Sequence, residues 1–379
     1  MNAFKLKLLL LSISICTIFG CSTSGDNPTE SNIEDDPNDW SIETINSGGE
    51  YPSLAIDTDG MPHISYLDYT DGYVKYATPN GDTWTVASVG KVSNSNGTIA
   101  NGGISSIALD ALNNPHITYY DYGNVQFKYA YKNGTNWIIL YIPLPNDPLM
   151  SYDSPFIPWE ESSVIVNKQT GMTHVSLQMS GGLSGSVLGY WRSGMSEAVI
   201  VDGDDANSGY HNAIALDGNG RPGISYEARG SGELKYAYWS GMAFEIETIA
   251  PMPLVYWMER ITSIAMDSNN MPHIAYYGQG VYKYAHKNGA SWTIKDMTYQ
   301  SGYPALSLSL DNNGLPHIAL VAIDTGNSYR LKHAFLNDSQ WAFENIEDNI
   351  NHCAIALDSA GQIHVVYETD SGELKYATR

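Results

Sequence analysis

Apolar and polar residues alternate along most of the chain in short runs such as Ser53-Leu-Ala-Ile-Asp57, Pro62-His-Ile-Ser-Tyr66 and Trp84-Thr-Val86. A period of two belongs to β-strands with one face buried. Asp-x-Asp-Gly and Asn-Gly segments separate the runs, and these residues close tight turns because they tolerate the backbone angles such turns require. The pattern therefore predicts many short antiparallel strands.

The strands recur as a unit. Each copy reads as an apolar strand ending in Asp, a turn, Pro-His-Ile leading into a Tyr-containing strand, a Lys-Tyr-Ala strand, an Asn-Gly turn and a strand that starts with Trp. The marker Asp appears as Asp57, Asp110, Asp217, Asp267, Asp311 and Asp358, with Asn167 in the third copy, at spacings of 53, 57, 50, 50, 44 and 47 residues. The histidine recurs as His63, His116, His174, His273, His317 and His364, with Gly223 as the exception. The third strand recurs at Lys75, Lys128, Lys235, Lys283, Lys332 and Lys375, and the fourth at Trp84, Trp137, Trp292 and Trp341, with Phe244 in the fourth copy. Four short strands in about 40 to 57 residues make a propeller blade. The expected fold is all-β: a seven-bladed β-propeller with four-stranded antiparallel blades. The last copy reaches Arg379 with three strands and no Trp strand, whereas an unmatched Trp40-Ser-Ile-Glu-Thr-Ile45 precedes the first copy. Residues 40–45 are thus expected to join the C-terminal blade and close the ring, leaving no open edge there.

Composition agrees with β structure, with 27 Tyr, 9 Trp and 35 Gly. The net charge is −22, and it becomes −24 once Lys5 and Lys7 are removed with the first 20 residues. So negative a surface excludes nucleic acid and anionic membrane surfaces as partners. Lys5 and Lys7 precede an apolar run, Leu8 to Phe19, that is short for a membrane span. The run ends in Ile18-Phe19-Gly20-Cys21, which resembles a bacterial lipobox. The resemblance implies a signal peptide over residues 1–20, lipidation of Cys21, a disordered acidic tether over 21–38 and the propeller over 39–379. Membrane attachment would be through the lipid anchor only. Ser22, in place of the aspartate that retains lipoproteins in many inner membranes, implies an outer-membrane lipoprotein, periplasmic or surface-exposed. Cys353 would then be the only cysteine left unmodified, so no intramolecular disulfide is expected.

The turns Asn80-Gly-Asp-Thr-Trp84, Asn133-Gly-Thr-Asn-Trp137 and Asn288-Gly-Ala-Ser-Trp292 resemble those of bacterial propellers with sialidase-type (BNR or Asp-box-like) repeats. The Trp and the turn match, but the defining Asp does not. Sialidase chemistry implies three carboxylate-clamping arginines and an opening Phe/Tyr-Arg-Ile-Pro motif. The motif is absent, and only Arg192, Arg221, Arg229, Arg260, Arg330 and Arg379 are present. Sialidase activity is not expected.

Residues present in every copy read as structural. The repeated His is expected to satisfy turn backbone or a neighbouring blade. Asp57-x-Asp59-Gly60 reads as an Asx-turn, because it lacks the further carboxylate of a calcium loop. Neither metal nor cofactor is expected. Function is sought where the repeat breaks, before each first strand: Glu50, Tyr51, Glu160, Glu161, Tyr210, His211, Arg260 and His352, with Trp159, Trp257, Glu259 and Tyr303 beside them. The loops between second and third strands add Asp68, Asp71, Asp121, Tyr122, Glu227, Arg229, Asp324 and Glu368. Gathered at one channel mouth, these carboxylates, histidines and aromatics suit glycan or polysaccharide binding. One alternative is a lyase or glycoside hydrolase using His211, His352, Tyr210, Glu160, Glu161 and Arg260. Another is a protein-interaction scaffold, for which the irregular segment from Pro143 to Trp159 offers a site.

Overall fold

The computed structural model describes residues 40–92, 104–145, 161–181, 185–203, 207–252, 261–297, 299–300, 304–323 and 328–379. Cys21, Trp159, Glu160, Trp257, Glu259, Arg260, Tyr303 and Asp324 lie outside them, as do the signal and tether segments.

Twenty-eight strands form seven four-stranded antiparallel sheets, and the described residues contain no helix. Blades 1 to 6 cover 50–91, 106–141, 162–202, 210–251, 262–297 and 306–348. Blade 7 combines residues 350–378 with the strand Ser41–Ser47. The first strand of each blade packs on the first strand of the next, and that of blade 7 packs on that of blade 1, so the sheets form a closed ring. The closing strand pairs from Ser41 opposite Thr378 to Ser47 opposite Glu373, with a bulge between Thr44 and Asn46. It starts one residue later and ends two residues later than the expected 40–45, and Trp40 itself is buried.

One aromatic contact marks every junction. Trp84, Trp137, Phe244, Trp292 and Trp341 lie 5.0–5.5 Å, ring to ring, from Tyr376, Tyr76, Tyr190, Tyr236 and Tyr284 of the preceding blade. Trp191 fills the place in blade 3, 5.7 Å from Tyr129, although it comes from the third strand. Trp40 completes the set 5.9 Å from His333 of blade 6. Steep interplanar angles, 54–83°, place ring edges on ring faces, the arrangement the aromatic quadrupole favours. Serines on first strands add polar stitches: the Oγ atoms of Ser53, Ser106, Ser163, Ser263 and Ser307 accept from backbone N–H groups of Ile107, Val164, Ile214, Leu308 and Ile355 in the next blade.

The repeated polar residues are structural, in part differently from expectation. Each marker Asp folds its own turn: Asp57 Oδ1 accepts from the N–H groups of Asp59 and Met61, both at 2.8 Å. Asp110, Asp217, Asp267, Asp311 and Asp358 do the same. Burial alone would raise the pKa of Asp57, but these two donors together with His63 outweigh it and hold the carboxyl below its usual range. The histidines do not bond turn backbone, and one reaches a neighbouring blade as expected: His116 Nδ1 lies 3.2 Å from Thr173 Oγ1 of blade 3. The Nδ1 atoms of His63, His116 and His174 lie 2.6 Å from the hydroxyls of Tyr76, Tyr129 and Tyr190 in the same blade. The far nitrogen of His63 faces Asp57 at 3.4 Å. The marker Asp already serves the turn, so the histidine is left to bridge that carboxylate and a buried tyrosine. In blade 4, where Gly223 replaces the histidine, Met266 and Tyr236 close in on the space: a Cβ on Gly223 would stand 2.5 Å from Met266 Cε and 2.6 Å from the Tyr236 hydroxyl.

Candidate functional site

Three first strands depart from regular pairing. In blade 4, Tyr210 pairs with Glu227 and Ala213 with Ser225, so His211 and Asn212 bulge opposite Tyr226. Blade 1 repeats this: Glu50 pairs with Leu67 and Ser53 with Ser65. The bulged His211 and Tyr51 have φ of 52° and 53°. Left-handed backbone at a non-glycine residue is held only where its surroundings enforce it, and it concentrates at working sites. Blade 7 carries a third bulge, between Ile350 and His352.

Around the blade 4 bulge, His211, Glu227 and Glu161 are buried, at 2%, 0% and 4% exposure. Arg229 donates through Nε to Glu227 Oε2 at 2.9 Å and through Nη2 to His211 Nε2 at 3.0 Å. His211 must accept that bond, so its proton sits on Nδ1 and faces Glu161 Oε1 at 3.1 Å, out of line for a good hydrogen bond. The Arg229 guanidinium lies 3.8 Å from the centre of the half-buried Tyr210 ring. Thr262 of blade 5 donates to the His211 carbonyl. Two buried polar groups beside this cluster lack partners, Glu227 Oε1 and the Gln178 amide. The junction thus displays a Tyr–Arg pair held from beneath by a His and two carboxylates.

The second cluster lies where blade 7 meets blade 1. His352 Nδ1 is 2.7 Å from Glu368 Oε2, which also accepts from the Tyr51 N–H at 3.3 Å. The Tyr51 ring lies 4.3 Å from the His352 ring, and Tyr69 lies beyond it at 6.4 Å. Glu50 stands beside Tyr51, opposite Leu67. Of the sequence-derived candidates, Tyr210, His211 and Glu161 therefore share one junction, and Glu50, Tyr51 and His352 share another. Blades 1 and 4 are not neighbours in the ring. Of the loop residues, Glu227, Arg229 and Glu368 belong to these clusters. Asp71 instead pairs with Lys75, and Asp121 with Lys128 at 3.8 Å. Asp68 binds Thr70 in its own turn, and Tyr122 packs on Tyr120.

Sequence reasoning missed two grooves at the opposite ends of the strands. One, about 540 Å³, lies between blades 3 and 4, where Tyr190, Phe244 and Trp239 meet Arg192 and Arg221. The other, about 430 Å³, lies between blades 4 and 5 against Tyr238, Glu245 and Lys287. Both lie at the end of the strands away from the first-strand entries, so the residues aligned at those entries gave no signal for them. Burial, and secondarily the charge of Arg192, push the His174 pKa beside the first groove down to about 4. Among the described residues, no group of three or more His, Cys, Asp or Glu is arranged to hold a metal ion.

No family model and no curated protein matches the sequence. Solved propellers do match its fold. The Arthrobotrys oligospora protein AofleA superposes with a TM-score of 0.51 at 11% identity, over 82% of this chain and 90% of its own. A variant of Aleuria aurantia lectin in complex with α-methyl-L-fucoside gives 0.51 at 12% identity, over 79% and 96%. A Hadza microbial sialidase gives 0.50 at 11% identity, over 84% and 73%. At such identities the likeness shows the architecture alone: the chain is a seven-bladed β-propeller.

Proposed function

We propose that this chain is a non-catalytic glycan-binding propeller, held at the cell envelope by a lipid on Cys21. The observation that carries the binding role is the Tyr210–Arg229 pair, stacked at 3.8 Å over a bulged strand and braced by His211, Glu227 and Glu161. An aromatic face beside a fixed guanidinium offers stacking to a sugar ring and donors to its hydroxyls. Rigid support lowers the entropic cost of binding. His211 is 2% exposed and engaged through Nε2 and its carbonyl. That suits a group that positions others better than one that exchanges protons with substrate. The likeness in fold to a lectin solved with a fucoside supports the reading.

A glycan array probed with the intact protein tests it. Binding of defined glycans that is lost in Arg229→Ala supports the proposal, and a blank array counts against it in favour of an envelope scaffold. One observation favours a second reading, a glycan-cleaving enzyme. The His352 side chain is 21% exposed and paired to the buried Glu368, with Tyr51 against its face. A histidine oriented by a carboxylate is an ordinary general acid–base device. Turnover of any arrayed glycan that disappears in His352→Ala would establish it. Anchoring is tested separately: Cys21→Ser should abolish incorporation of labelled fatty acid and release the protein from outer membranes.

A further inference from the structure

We propose that the groove between blades 3 and 4 is a second ligand site, and that it takes a sugar bearing a carboxylate. It is separate from the Tyr210 cluster. Asn167 beside it ends one first strand and Gly220 follows another, whereas Tyr210 begins that second strand. The seven-residue strand Tyr210–Leu216 puts roughly 20 Å between them.

The charge of this groove runs against the rest of the molecule. The chain carries a net charge of −22 and six arginines. Two of the six, Arg192 and Arg221, line this one groove, and no carboxylate lines it with them. Arg221 uses Nε on Asp217 at 2.9 Å, and the Arg192 Nη1 lies 3.0 Å from Met172 Sδ. The cause is a single exception in the repeat. Where blade 7 meets blade 1 the marker carboxylate faces a glycine in the next turn, since a Cβ on Gly60 would meet Asp358 Oδ2 at 3.2 Å; between blades 5 and 6 a Cβ on Gly314 would meet the Cβ of Asp267 at 3.6 Å. Between blades 3 and 4 the same place holds Asn167, whose amide would lie 2.1 Å from a Cβ on Gly220. The Asn167 amide oxygen caps its own turn on a different pair of donors, Gln169 at 3.0 Å and Thr170 at 3.1 Å, two and three residues on where the carboxylates use two and four. An amide in place of the carboxylate removes one negative charge from the groove.

The walls select the rest of the ligand. Phe244 lies 5.0 Å from Tyr190 and 5.3 Å from Trp239, giving a continuous aromatic surface with both arginines beside it. The volume of about 540 Å³ falls within the range of small-molecule sites, ~300–1,000 Å³. Aromatic faces hold the apolar face of a pyranose, and guanidinium groups match a carboxylate in planar, two-pronged geometry. A uronic acid presents both.

Calorimetric titration of the intact protein with trigalacturonate, and with its carboxyl-reduced neutral analogue, tests the assignment. The acid should bind about tenfold or more tightly than the analogue at low ionic strength, and the margin should shrink with salt. Asn167→Asp restores the residue the other six blades carry, so it should fold and melt as the parent does. It should weaken trigalacturonate about fivefold or more. Equal affinity for acid and neutral analogue would overturn the proposal. So would undiminished binding by Asn167→Asp, or glutarate binding as tightly as trigalacturonate. None of these outcomes bears on the Tyr210–Arg229 site, which Arg229→Ala on the glycan array reads independently.

Discussion

Replacing Trp40 by alanine tests whether the ring is closed by its first strand. Trp40 is 8% exposed and sits among Ala319, Val321, Leu331, Ile350 and Val365, with its ring edge against His333. Its indole N–H is buried without a partner. Truncation therefore costs packing and leaves no hydrogen-bond partner unpaired. Removing a buried Trp costs about 3–5 kcal/mol. The unit from Asp36 to Arg379 holds roughly 340 residues. At about 2.1 cal/mol/K per residue its unfolding entropy is ~0.7 kcal/mol/K, so the melting temperature should fall by about 4–7 °C. Trp40→Phe, which keeps most of the ring and drops the unpaired N–H, should recover at least half of that. Differential scanning calorimetry reads both variants. Deleting residues 39–47, which removes the whole outer strand of blade 7, should abolish the single cooperative transition. A melting curve unchanged by either the truncation or the deletion would refute closure by this strand.

Other consequences follow from the packing and the histidines. A Cβ on Gly90 of blade 1 would stand 1.9 Å from the Tyr119 hydroxyl of blade 2. Gly90→Ala should cost about 1–3 kcal/mol in urea denaturation, and Tyr119→Phe, by removing that oxygen, should restore part of the loss. Burial pushes the pKa of His174 and His317 down to about 4, and that of His63, His116, His273 and His364 also downward. These folded values lie below the unfolded value near 6.5, so the unfolded chain binds more protons in the window between. Stability from these groups is complete above about pH 6.5 and is lost as pH falls towards about 4. Melting temperature should be level from pH 7 to 8 and decline below 6.5, and His317→Asn should shallow the decline. A curve flat down to pH 4 would contradict the assignment.

The architecture was legible because each blade repeats its turn chemistry. Asp57 and its counterparts announce the same Asx-turn, and the Trp strands announce the blade junctions. Trp40 could be placed in blade 7 by bookkeeping, since one Trp strand was missing at one end and one was spare at the other. What the repeat conceals are contacts between copies. That His63 reaches Tyr76 within its own blade depends on cross-strand register, which sequence spacing does not express. Trp191 could not be recognised as the junction aromatic of blade 3, because it reaches the junction from a different strand. The site was half legible. The break in the repeat pointed to Tyr210 and His211, but not to the bulge that turns His211 inward, nor to the Arg229–Tyr210 stack. Asn167 was visible as an exception, yet its meaning depended on Gly220 and Arg221 arriving from the next blade.

The central claim is that the Tyr210–Arg229 pair binds glycan. It is tested most directly by titrating the strongest array ligand into the intact protein, Tyr210→Ala and Arg229→Ala. Stacking and cation–π contacts of this kind contribute about 1–2 kcal/mol. Each variant should therefore lose about 5- to 30-fold in affinity; Tyr210→Ala should melt within about 2 °C of the parent, and Arg229→Ala several degrees lower because it leaves the buried Glu227 carboxylate without its cation. Affinity that is unchanged in both variants would contradict the account.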